Sequence, residues 1–77
     1  MGAANDPTAE LTRRKLAFAD KLAEEIRAVA DHMGRQRTAS RAALLDHLKI
    51  RFDRDLEPDT LLLALDRVDA TIAGRFV

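Results

Sequence analysis

The 77-residue sequence has no cysteine, no tryptophan and no tyrosine. Without cysteine, neither a disulfide nor a thiolate metal site can support the fold. Stability must then come from apolar packing or from a partner. Net charge is missing too: thirteen basic residues offset thirteen acidic ones, so no global field draws the chain to nucleic acid or to a membrane. No apolar run approaches the length of a bilayer span. The opening "MGAANDPTAELTRRK" lacks the apolar core of a signal peptide. Asp6 stands where an N-myristoylation signal requires Ser or Thr. These absences predict a soluble, cytoplasmic protein that makes no membrane contact.

What remains is 47% hydrophobic and 34% charged, too apolar for a disordered chain. Leu and Ala supply most of the apolar residues, a mix that favours helix over strand. The length allows one domain, which buries only roughly 60–65% of the surface its unfolded form exposes. Residues 1–5 read as a flexible tail and residues 6–77 as a single helical-bundle domain.

The apolar spacing predicts an all-α fold of three amphipathic helices, or four if one of them breaks. In the first, Asp6 caps the N-terminus and Pro7 takes the first helical position, where its missing N–H is harmless. Leu11, Phe18, Leu22, Ile26, Val29 and Met33 form its core face, and Gly34 ends it. It either runs unbroken or restarts near Ala23 and Glu24. The second helix starts near Ser40, with Thr38 as the alternative cap, and turns Leu44, Leu45, Leu48 and Phe52 inward. The third starts between Pro58 and Thr60 and presents Leu61, Leu65, Val68, Ile72 and Phe76, with Leu62 widening that face.

Charge is distributed unevenly along this frame. Residues 35–54 hold six Arg or Lys against two Asp, whereas residues 55–77 hold five acids against Arg67 and Arg75. Such a dipolar molecule suits docking to a charged partner. Catalysis has no visible constellation. The run "DRDLEPDTLLLA" has acids at positions 1, 3 and 5 of a calcium loop, but Pro58 replaces its required Gly and Ala64 its bidentate Glu. His32 and His47 supply two imidazoles, and two ligands do not make a metal site. Arg35, Arg37 and Ser40 spell a basophilic kinase motif, R-x-R-x-x-S, that recurs often by chance.

The second half of the chain resembles an acyl or peptidyl carrier protein. Counting from Thr38, apolar residues stand 6, 10, 14 and 18 positions on, at Leu44, Leu48, Phe52 and Leu56. "IRFDRDLEPDT" is similar to that family's passage out of helix II, and Leu65, Val68 and Ile72 to its closing helix. Upstream, "LAEEI" and "DHMG" are similar to its approach to the modified serine. The resemblance implies a degenerate carrier-like helical bundle and, in an active member, a 4′-phosphopantetheine arm on a serine opening helix II. That arm would fall on Ser40 or, by strict register, on Thr38. The family's G-x-D-S-L motif is absent: Arg37 holds the aspartate's place, Thr38 the serine's, and Ser40 lies two residues on. Helix II is acidic in that family, and here Arg41, Lys49 and Arg51 outnumber Asp46.

Three functions follow as expectations. The first is a non-enzymatic protein–protein interaction module, an adaptor docking an acidic partner or a second copy through Arg35, Arg37, Arg41, Lys49, Arg51 and Arg54, with no cofactor. The second is a small dimeric DNA-binding regulator using the same basic stretch on phosphates. It is weakened by Asp59, Asp66 and Asp69 on the helix that should read the groove. The third is a genuine carrier protein with Ser40 modified.

Overall fold

The computed structural model describes residues 7–34 and 37–77. The expected N-terminal tail, the Asp6 cap and Arg35 lie outside the described residues. The fold is all-α, with four helices among the described residues: α1 (Pro7–Met33), α2 (Arg41–Phe52), α3 (Pro58–Leu65) and α4 (Ala70–Ala73).

Helix α1 runs unbroken through Ala23 and Glu24 for 27 residues, about 40 Å at 1.5 Å per residue. It stops at Gly34, whose φ of +85° belongs to the left-handed region that side chains disfavour. Its buried face is Ala19, Leu22, Ala23, Ile26 and Ala30. The three alanines leave room for a close neighbour, and α1 packs chiefly on α3. There Leu61, Ala64 and Leu65 join Leu22, Ile26, Leu44, Leu48 and Leu56 in one core. Leu11, expected on the core face, is 58% exposed. All five buried residues of α1 lie between positions 19 and 30, so the helix extends past the elements that would cover Leu11.

Ser40 starts α2 as expected. Its backbone is extended, at φ −79° and ψ 150°, and its Oγ accepts the Ala43 N–H at 3.0 Å. The helix ends on Asp53 in the left-handed region, φ 52°, a conformation Asp tolerates better than most residues. Thr38, the alternative cap, is exposed and precedes the helix by three residues. Ser40→Ala should therefore lower stability by about 1 kcal/mol, and Thr38→Ala should stay within about 0.5 kcal/mol of the parent. Urea denaturation of the two variants measures both.

The third apolar face is not one helix. α3 ends at Leu65, Val68 is buried in the following turn, and Ile72 sits half-buried on α4. Asp66 falls at the C-terminus of α3 and Asp69 at the N-cap position of α4. A carboxylate opposes the helix dipole at the first place and complements it at the second, so Asp69 favours the restart, whereas Asp66 does not favour the stop. Arg27 Nη2 donates to the Arg67 carbonyl at 2.9 Å and holds this turn on α1. Arg67 Nε comes within 2.8 Å of Asp20 Oδ1 as an ion pair whose N–H is not aimed at the carboxylate. Leu62, expected to widen the core face, is 46% exposed.

Phe76 departs furthest from a helical register. It lies in extended backbone and forms a parallel bridge with Ala39. The Ala39 N–H donates to the Arg75 carbonyl, the Val77 N–H to the Ala39 carbonyl and the Arg41 N–H to the Val77 carbonyl, each at 2.9 Å. The ring is 1% exposed and is the largest fully buried side chain. The chain's last described residues thus secure the entrance to α2 instead of extending α3.

Candidate functional site

Of the expected partner-binding residues that are described, Arg37 and Arg41 lie at the N-terminal end of α2, and Lys49, Arg51 and Arg54 toward its C-terminal end. At its N-terminus the arginines serve the fold. Arg41 Nε donates to the Phe76 carbonyl at 3.1 Å. Arg75, which the sequence offers only as an offset to acids, donates through Nε to the Arg37 carbonyl at 3.1 Å and through Nη2 to the Gly34 carbonyl. These bonds pin the connector and leave the hydroxyl-bearing residues Thr38 and Ser40 exposed. The Ser40 oxygen accepts the Ala43 N–H, while its own proton stays free to donate. As an attachment point for a phosphopantetheine arm, Ser40 offers an exposed hydroxyl and no aspartate before it, since Ala39 sits there facing Phe76.

At the other end, α2 brings its cations to α1. Phe52 meets Phe18 edge to face, with ring centroids 5.7 Å apart and planes at 83°. Both rings are half-buried. The Arg54 guanidinium lies 4.6 Å from the centre of the Phe18 ring, and that of Arg51 lies 5.6 Å from the centre of Phe52. Arg14, Ala17, Phe18, Lys21, Phe52 and Arg54 line one shallow groove between the helices. Lys21 and Arg51 continue it past Phe52 to Glu24 and Glu25. The result is an apolar aromatic floor with a cationic rim.

Two of the rim cations are balanced in part. Arg14 pairs with Glu10 one turn before it, at 3.1 Å and well exposed on both sides. Arg51 Nε lies 3.7 Å from Glu25 Oε1. The other Glu25 oxygen accepts from His47 Nε2 at 2.8 Å, so one carboxylate ties two successive turns of α2 to α1. Lys21 and Arg54 have no carboxylate within ion-pair distance among the described residues. They are the unneutralised charges of the groove. Exposed surface pairs of this kind contribute little stability, so the rim is available to a ligand at small cost to the fold.

Arg14 and Lys21 are the residues that sequence reasoning missed. They flank Phe18 at positions −4 and +3, on the same helical face as that ring. That spacing was the available signal. Lys49 stands apart, half-buried beside Ile50, Asp53, Arg54 and Asp55. The two histidines do line a common shallow groove with Val29 and Met33. Among the described residues, no three His, Asp or Glu side chains gather as a metal ion would need. No helix among them is long and apolar enough to cross a membrane. No protein-family model, curated protein or solved structure matches the chain.

Proposed function

We propose that this chain is a non-enzymatic interaction module that docks an acidic protein partner in the groove between α1 and the C-terminal end of α2. The observation that carries this reading is the half-exposed Phe18–Phe52 pair under Arg54, with Lys21 unpaired beside it. Aromatic and Arg side chains gathered at one spot are the composition of binding hot spots. The surrounding positive charge selects for anions by complementarity and discourages basic partners. Nucleic acid is the weaker candidate. At roughly 100° per residue, Arg41, Lys49 and Arg51 point in three separate directions around α2, whereas phosphate tracking needs them in a row.

The test uses two fluorescein-labelled peptides of equal length and apolar content, one rich in Asp and Glu, the other in Lys. The acidic peptide should raise the anisotropy and lose affinity with added salt, because the rim is solvent-exposed and screened. Equal binding of both peptides, or of neither, overturns the proposal.

One observation favours a second reading, that of a carrier protein: the Ser40 hydroxyl is exposed at the start of α2. Incubation with coenzyme A and a phosphopantetheinyl transferase, followed by intact mass, decides it. An adduct lost in Ser40→Ala supports the reading, and no adduct ends it.

A further inference from the structure

The first three turns of α1 carry a pattern that the groove alone does not use. Residues 8–18 include no buried side chain, and the molecule measures 52 Å along its longest axis against 24 and 17 Å across. This part of α1 is an arm. Along it, exposed Leu11 and half-buried Phe18 stand seven residues apart on one face. At about 100° per residue, Arg14, Lys15 and Lys21 fall with them inside an arc of roughly 120°. Phe52 and Arg54 close the strip at its inner end.

From this juxtaposition we infer that the strip from Leu11 to Arg54 seats an acidic amphipathic α-helix of a partner protein. The inference rests on the acidic-partner reading above and adds the partner's conformation. Spacing argues for a helix. Leu11 and Phe18 are two turns apart, roughly 10.5 Å along the axis. A partner helix repeats its apolar anchors at i and i+7 over the same rise. An extended segment covers that distance in about three residues, an odd number, and turns its two anchors to opposite faces. Charge argues against a second copy of this chain. Arg13, Arg14 and Lys15 are consecutive on the arm, with Glu10 the nearest acid before them. A parallel pair would bring Arg14 and Lys15 against their own copies, and an antiparallel pair centred there would set Arg14 opposite Lys15. Glutamates flanking the anchors of a partner helix would meet the same cations favourably.

Three synthetic 18-residue probes separate the possibilities. The first is acidic, with Leu at helical spacing. The second has the same composition with Leu at every second position. The third keeps the helical spacing with Lys for Glu. Titrations on the full chain, read by isothermal calorimetry and by amide chemical shifts, should show the first probe binding at least about tenfold tighter than the second. Shifts should cluster at residues 11–21 and 51–54. Leu11→Glu should weaken the first probe by about tenfold with no change in melting, because Leu11 is outside the core. Equal binding of the two acidic probes, with Leu11→Glu silent, overturns the helical inference and leaves the acidic groove standing. Equal binding of the Lys probe, or no binding of any probe, overturns both.

Discussion

Phe76→Ala should leave the chain barely folded. The ring is 1% exposed and is the largest fully buried side chain. Truncating a buried Phe to Ala costs about 3–5 kcal/mol, through lost transfer energy and an unfilled cavity. Domains of this size hold only about 4–11 kcal/mol in total at typical stability per residue, and each lost kilocalorie lowers the midpoint by about 4–8 °C. A fall of at least about 12 °C is therefore expected in a thermal melt followed by circular dichroism. Loss of the ring also releases the backbone that carries it. The bonds linking Ala39 and Arg41 to residues 75–77 and the Arg41 bond to the Phe76 carbonyl form at the same place. Hydrogen exchange at the first amides of α2 should accelerate beyond the global change, because the entrance to that helix loses its anchor. Val77→Ala, one residue on and 75% exposed, should stay within about 0.5 kcal/mol of the parent. A Phe76→Ala midpoint within a few degrees of the parent would show that the core closes without the C-terminal bridge.

Four helix ends were legible because their signals are local. Pro7, Gly34, Ser40 and Pro58 each act through the geometry of one or two peptide units, and each stands at the element end the sequence suggests. Phe76 was not legible as an anchor of α2. Its spacing from Leu61, Leu65, Val68 and Ile72 fits a continuous helix as well as a broken one. The long-range pairing with Ala39 distinguishes the two. Leu11 misleads for a related reason: periodicity marks the face that could be buried, and the reach of the neighbouring helices decides where burial ends. The candidate surface divides similarly. Arg51 and Arg54 stand out within a basic stretch, but Arg14 and Lys21 join them only through the packing of α2 on α1. Arg41 looks like a surface charge in the sequence and spends a guanidinium N–H on the Phe76 carbonyl.

Reversing the two unpaired cations of the groove should reverse the partner's sign. In Lys21→Glu/Arg54→Glu the floor of Phe18 and Phe52 stays in place and the rim turns acidic. Affinity for an acidic peptide should fall about 100-fold, near 2.7 kcal/mol for two lost charge contacts and two new repulsions. A Lys-rich peptide of the same apolar content should gain. Both altered side chains are exposed, so melting should move only slightly, chiefly through the lost stacking of Arg54 on Phe18, worth about 0.5–1 kcal/mol at an exposed site. A control separates the groove from the field of the whole molecule. Arg37→Glu makes the same charge change as Arg54→Glu but at the opposite end of α2, where Arg37 serves the fold through its carbonyl and not its guanidinium. If docking occurs in the groove, Arg54→Glu should weaken the acidic peptide by about tenfold and Arg37→Glu by less than about threefold. Equal losses from the two single variants would mean that the partner senses the basic stretch as a diffuse field, with the aromatic pair left to packing alone.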